Sequence, residues 1–247
     1  MTTQTPKPPL TFYRTGPMPC PYLGGRVERN LFTELNGAQS QRLHDQLAQA
    51  GFRRSHHIVY RPSCPDCNGC IPVRIPVAAF EMSRSQRRVW SRNTDLRVTT
   101  GPARATEEHY ALFVRYQDAR HQGGEMATMS FSDFRAMIED PVVQTELVSI
   151  RDDAGRLVGA CLTDQLTRGY SAVYSYFEPD EDRRSLGTFC VLWLLDRARS
   201  QKLDHLYLGY WIAECAKMSY KSRFQPVEHL GTKGWQTGPL PRATYSD

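Results

Sequence analysis

Cys64, Cys67 and Cys70 form a CxxCxxC run, and Cys20, followed by Pro21-Tyr22-Leu23, supplies a fourth thiol. In a reducing compartment such spacing suits zinc or an iron–sulfur centre, and His56 and His57 are near enough in sequence to add ligands. The competing reading is a set of reduced, buried thiols lining a pocket. Cys161, Cys190 and Cys215 are scattered in apolar surroundings and read as core. A second feature is Ser83 to Arg97, where Arg84, Arg87, Arg88, Arg92 and Arg97 face a single acid, Asp95, with Trp90 among them. These guanidinium groups can neutralise several phosphates, and the indole offers a stacking face to an unpaired base. The alternative is a solvated helix or strand face anchored by Val89 and Trp90.

The elements that must position these groups follow from composition and periodicity. A chain of 247 residues, 40% apolar and 23% charged, has room for one large domain or two small ones, and it reads as neither disordered nor coiled coil. The longest apolar run, Phe189 to Leu195, is broken at Asp196 and falls far short of the roughly 20 residues of a membrane-crossing helix. Met1 to Pro9 lacks the apolar centre of a secretory signal and reads as a flexible lead, so a cytoplasmic protein with reduced thiols and no membrane partner is expected. The net charge of +5 is a mild bias toward anionic partners.

Apolar spacing predicts a helix from Asn36 to Ala50, then extended segments at Phe52 to Arg61 and Ile71 to Val77, with the cysteine loop between them. Thr, Gly, Pro and Ala at 99–105 suggest a boundary that separates a first domain, 1–104, from a second, 105–247. The second opens with a helix from Thr106 to His121 and a shorter one from Ser130 or Ser132. It continues with strands at Thr145 to Arg151, Leu157 to Gln165 and Tyr170 to Phe177, which the period of two marks as an antiparallel meander. A loop, an apolar helix at Gly187 to Gln201, a strand at His205 to Ile212, a helix near Ala216 to Arg223 and a last extended piece complete the order ααβββαβαβ.

That order resembles the GCN5-related acyltransferases, whose parallel strands splay to admit an acyl carrier. The resemblance implies an α+β chain: an acyltransferase-like C-terminal domain, preceded by a smaller N-terminal α+β domain that carries the cysteine-rich loop. Arg184-Ser185-Leu186-Gly187 matches the first half of the phosphate-loop pattern of those enzymes, in which helix-start amides hold a pyrophosphate. Phe189 stands where the second glycine belongs, which argues against an ordinary coenzyme A donor.

Longer blocks carry a more specific resemblance. SAVYSYFEPDEDRRSLG from Ser171, YLGYWIAECAKMSYKSRFQPVE from Tyr207, RPSCPDCNGCIPVRIP from Arg61 and SRSQRRVWSRNTDL from Ser83 resemble the aminoacyl-tRNA–protein transferase family, and the bacterial aspartate/glutamate leucyltransferase branch most. The resemblance implies transfer of leucine from leucyl-tRNA to the N-terminal amine of proteins starting with Asp or Glu, creating a degradation signal. An aminoacyl ester is already activated, so no cofactor is required, and catalysis reduces to alignment and oxyanion stabilisation. The acceptor amine, with a pKa of about 7.7–8.0, needs no strong base. On this reading Tyr220 is the acid for the leaving hydroxyl and Lys217, one turn earlier on nearly the same face, contacts phosphate or developing charge. Tyr174, Tyr176 and Glu178 alternate onto one face leading to the site, with Glu178 receiving the ammonium. Ser185, Leu186, Gly187 and Tyr210 join the substrate-binding set. Arg61 and Arg74 are the candidates for reading the acceptor carboxylate. Arg84, Arg87, Arg88 and Arg92 form the tRNA footprint. The eukaryotic branch has an iron–sulfur cluster on differently arranged cysteines, so a zinc or iron–sulfur centre on Cys20, Cys64, Cys67 and Cys70 stays open. Alternatives in other classes are an arginyl-tRNA donor, an acetyl-CoA-dependent N-acetyltransferase, and a non-catalytic metal- and RNA-binding module.

Overall fold

The computed structural model describes residues 10–121 and 123–244, so the reading of Met1 to Pro9 as a flexible lead lies outside the described residues. In chain order the elements are β1 (Tyr13–Arg14), β2 (Met18–Pro19), β3 (Val27–Glu28), β4 (Asn30–Glu34), α1 (Ser40–Gln49), β5 (Arg53–Ser55), β6 (Ile58–Pro62) and β7 (Ile71–Pro76). There follow α2 (Arg84–Arg92), β8 (Arg97–Pro102), α3 (Glu107–Arg120), α4 (Phe131–Glu139), β9 (Thr145–Arg151), β10 (Leu157–Leu166) and β11 (Gly169–Phe177). The chain closes with α5 (Leu186–Ser200), β12 (His205–Trp211), α6 (Ala216–Ser219), β13 (Glu228–Gly231) and β14 (Gly234–Thr237).

This is a mixed α/β architecture built on an eight-stranded sheet in the order β14-β13-β7-β12-β11-β10-β9-β8. Neighbours are antiparallel except β11 and β12, which run parallel. A four-stranded sheet, β1-β4-β6-β5, packs beside it, and β2 pairs with β3. The antiparallel meander β9-β10-β11 and the helices around it follow the sequence pattern. Thr106 caps α3 through its side chain, and Ser130 closes a capping box with Asp133 at α4.

Two local expectations are corrected. The Thr-Gly-Pro stretch around residues 99–105 is not simply a linker: Arg97–Pro102 forms β8 at the sheet edge, with Pro102 as its last residue, where a missing N–H costs no ladder bond. Phe52 to Arg61 is a hairpin of β5 and β6 rather than one strand, turned at His56, whose φ of 52° is left-handed. The expected boundary near 104 falls after β7 and β8, both of which belong to the large sheet, and Val73, Ile75, Val77 and Phe80 share a core with α5 and β12.

A buried polar cluster docks the small sheet and α1 on the large one. Asp164 of β10, fully buried, accepts from Arg54 Nε and Nη2 (both 2.7 Å), from Thr145 Oγ1 (2.7 Å), and lies 3.0 Å from His44 Nε2. Burial opposes the Asp164 charge, but the bonds from His44 and Arg54 win and hold its carboxyl down at about 2.

Candidate active site

Backbone geometry defines the site. The parallel pairing of β11 and β12 covers only Gly169 to Ser171 against His205 to Tyr207, after which the strands part. At the base of this fork a Cβ on Gly169 would collide with the His205 carbonyl, so the close approach needs glycine. On the other strand Gly209, with φ of 75°, sits at a register shift in the β12–β7 ladder. A Cβ there would collide with the Arg53 guanidinium. That guanidinium lies in the fork: Nη2 donates to the Ala172 and Val173 carbonyls (3.1 and 2.7 Å) and Nη1 to the Leu208 carbonyl (3.3 Å).

Behind the fork follow α6 and a 3-10 turn, Tyr220–Arg223, in place of the continuous helix expected to Arg223. The backbone stays helical through Ser219 and Tyr220, yet Lys217 and Tyr220, expected on one face, meet different surroundings. Tyr220 is half-buried against the main core, 6.4 Å from the Phe224 ring, whereas Lys217 is exposed and its ammonium donates to His121 Nδ1 at 3.3 Å. Burial pushes the Tyr220 phenol up to about 12, with the Arg53 charge pulling the other way. The hydroxyl is therefore a proton donor throughout the neutral range. Burial first, then Lys217 and Arg120, lowers His121 below its usual value. Lys221, 4% exposed, donates to the Tyr210 carbonyl and to Met218 Sδ, and burial drives its amine well below the usual lysine range.

Tyr174, Tyr176 and Glu178 do share one side of β11, but that side is covered by α3 and α4. Tyr176 is fully buried against Phe113 and Phe134, which removes it from any substrate surface. Tyr174 accepts from Gln117 Nε2 at 2.7 Å, and burial raises its phenol. Glu178, 5% exposed, is held by Arg115 Nε and Nη2 at 3.2 and 2.9 Å, so its charge is already partnered. Tyr210 is likewise not a lining residue: it is 2% exposed and donates toward the Gly51 and Tyr60 carbonyls (3.1 and 2.9 Å), tying β12 to the β5–β6 hairpin.

The loop into α5 is pinned rather than open. Arg184 makes a two-pronged pair with Asp95 at 2.9 and 2.8 Å, and Asn93 Nδ2 donates to the Arg184 carbonyl. Ser185 adopts the left-handed region (φ 53°) at the start of α5 and makes no capping bond. Leu186 points into the core at 1% exposure, and a Cβ on Gly187 would meet the Phe177 ring at 3.0 Å. Phe189 is buried against Trp90, ring centroids 5.7 Å apart, so this indole is a core anchor and not a free stacking face. Trp90 belongs to α2, started by a Ser83–Gln86 capping box. Arg84, Arg87, Arg88 and Arg92 are all exposed on it; Arg87 donates to the Met82 carbonyl and Arg92 to that of Arg183.

Cys20, Cys64, Cys67 and Cys70 line one cavity with Tyr22, Arg26 and Asn68. Within it Cys64 Sγ is directed at the Arg29 carbonyl and Cys67 Sγ accepts from Gly69 N–H, and among the described residues no three His, Cys, Asp or Glu side chains meet as a cation site. Burial, and then the neighbouring thiols, raises Cys64 and pushes the Cys70 thiol up to about 12. Of the two flanking arginines, Arg74 is engaged: Nε donates to Glu228 at 2.6 Å, Nη1 to Tyr207 at 3.1 Å, and the guanidinium lies 4.3 Å from the Trp235 ring centroid. Arg61 donates only to the Ala50 carbonyl, at 3.1 Å, with no carboxylate partner among the described residues.

The grouping around the fork includes Arg53 and Lys221, and His121 stands beside Lys217; pattern reading missed all three. The legible signal was Gly209 within an otherwise apolar strand, the mark of a bulge or a close approach, though it does not say what approaches.

Comparison with known proteins places the chain among relatives. The family model described as arginine-tRNA-protein transferase, C terminus, matches residues 108–231, and its N-terminus counterpart matches 18–88. The chain is 52% identical over 230 residues, 93% of its length and 94% of the relative's, to the aspartate/glutamate leucyltransferase of Paramagnetospirillum magneticum. It is 50% identical to that of Gluconacetobacter diazotrophicus over 98% of this chain and 92% of the other, and 50% identical to that of Rhodospirillum rubrum over 92% and 93%. Among solved structures, the C-terminal domain of a putative lysylphosphatidylglycerol synthetase from Agrobacterium fabrum aligns with TM-score 0.45 at 16% identity, over 69% of this chain and 52% of that one. With both family models matched and half of all positions shared across nearly the whole length, the chain belongs to the arginine-tRNA-protein transferase family, in its bacterial leucyltransferase branch.

Proposed function

We propose that this protein transfers leucine from leucyl-tRNA to the N-terminal amine of polypeptides beginning with Asp or Glu. The observation that carries the reading is the 52% identity, over 93% of the chain, to a relative named for that transfer. The splayed β11–β12 pair supports an acyltransferase-like catalytic half, and Tyr220, packed against the core on the turn that follows β12, is the candidate acid. The acceptor nitrogen attacks the ester carbonyl carbon, the bond to the terminal ribose oxygen breaks, and a peptide bond replaces it. The Tyr220 hydroxyl donates its proton to the departing ribose oxygen and regains one from the new amide nitrogen, so the enzyme ends as it began. The ester supplies the driving force, and no step calls on a metal or a nucleotide cofactor.

The exposed arginines of α2 hold the phosphate backbone of the tRNA. Arg61, without an acidic partner among the described residues, is the better placed of the two flanking arginines to read the acceptor carboxylate; Arg74 is committed to Glu228. Leucyl- and arginyl-tRNA should be offered separately, with labelled amino acid, to peptides beginning Asp, Glu, Arg and Lys. The expected result is label on the Asp and Glu peptides from leucyl-tRNA only. Transfer from arginyl-tRNA, or to the basic peptides, contradicts the assignment.

A further inference from the structure

Where two parallel strands part, each loses the neighbour that satisfied its inner carbonyls, and an unsatisfied buried carbonyl is costly. In this fork two cationic side chains take the neighbour's place. Arg53 reaches from β5 to the Ala172 and Val173 carbonyls of β11 and to the Leu208 carbonyl of β12, and the buried Lys221 amine takes the next inner carbonyl of β12, that of Tyr210. Arg53 spends three donors on carbonyls and has no carboxylate within ion-pair distance among the described residues. The guanidinium is the rigid, planar group that can bridge two diverging backbones at once. Room for it is built in, because a Cβ at Gly209 would collide with it and the left-handed φ there also favours glycine.

We propose that Arg53 is a positioning residue of the transfer reaction: it plugs the fork, sets the point at which β11 and β12 separate, and so fixes where the aminoacyl ester must sit, at the mouth of the fork instead of threaded through it. A carrier that inserts a flexible arm between the strands finds the slot occupied by the protein's own side chain. A tRNA terminus, which brings its ester on a ribose, needs only the mouth. The inference rests on the aminoacyl-tRNA-dependent reading given above.

Arg53→Ala, Arg53→Lys, Gly209→Ala and the double variant Arg53→Ala/Gly209→Ala of the full chain test it by single-turnover leucyl transfer to an Asp-start peptide. Urea unfolding defines the folded fraction, and filter binding the affinity for leucyl-tRNA. Arg53→Ala and Gly209→Ala are expected to stay folded, bind tRNA within about threefold of wild type, and each slow the single-turnover rate about a hundredfold, the effect of displacing a reacting group by about 1 Å. The double variant is expected to be no slower than Arg53→Ala within about threefold, because both changes remove the same group from the fork. Arg53→Lys, which keeps charge and one donor, is expected to recover part of the rate and covers the case in which Arg53→Ala does not fold. A wild-type rate in folded Arg53→Ala or Arg53→Lys, or losses that multiply in the double variant, overturns the proposal while leaving the transferase reading intact. A wild-type protein that transfers nothing from any charged tRNA overturns that reading instead.

Discussion

A phenol buried beside a guanidinium is pulled in two directions, and at Tyr220 burial wins: the hydroxyl is pushed up to about 12 despite Arg53. A group so raised is an acid that never ionises near neutrality, which suits donation to a leaving alkoxide. Tyr220→Phe keeps the ring against Phe224 and removes only the proton. It is expected to lower kcat about a hundredfold with KM for leucyl-tRNA nearly unchanged, read in steady-state kinetics. The rate of the wild-type enzyme is expected to show no alkaline fall attributable to Tyr220 below about pH 11. The cysteines make a second case at this scale. Whatever the four thiols of the cysteine-lined cavity hold, an aminoacyl ester is already activated, so a chelator is expected to leave transfer within about twofold of the untreated rate. A loss restored by added zinc or by iron and sulfide would contradict that.

At the scale of elements, α2 and the Asp164 cluster do different work. One face of α2 is anchored by Trp90 while its arginines stand in solvent, so reversing charge there alters the surface with little effect on packing. Arg87→Glu combined with Arg88→Glu is expected to weaken tRNA binding and to flatten its salt dependence by about two units of slope, measured across a salt series. Binding and slope unchanged would remove α2 from the tRNA contact. The Asp164 cluster instead joins α1, β5, β9 and β10. Its carboxyl is held below the unfolded value, so its contribution is fully present above pH 4 or so and is lost as pH falls through about 2, on the order of 2 kcal/mol in total. Arg54→Met strands the buried charge and is expected to cost about 3–5 kcal/mol in urea unfolding at pH 7. Much of this level was legible beforehand: period-two runs located β9, β10 and β11, and serine or threonine caps located α3 and α4. The β5–β6 hairpin was not, because its turn places a histidine at positive φ where glycine or asparagine would have signalled it. Nor was β8, whose Gly101-Pro102 end looks like a linker until an edge strand is required.

At the scale of the whole molecule, segments distant in sequence complete a single sheet. β7 precedes the expected boundary near residue 104, yet it pairs with both β12 and β13, and Arg53 crosses from the small sheet into the fork of the large one. Such contacts carry no local signature, since an arginine in a short hairpin looks like a surface residue until the carbonyls it serves are known. The same holds for Tyr176 and Tyr210, whose alternation on strands was readable but whose burial depended on what covers them. The transfer reaction requires that the opened sheet take its acyl group from a charged tRNA. The direct measurement offers the purified protein labelled leucyl-tRNA in one reaction and labelled leucyl-coenzyme A in another, each with an Asp-start peptide. Label on the peptide from the tRNA alone is the predicted result; label from the thioester, with none from the tRNA, would contradict it.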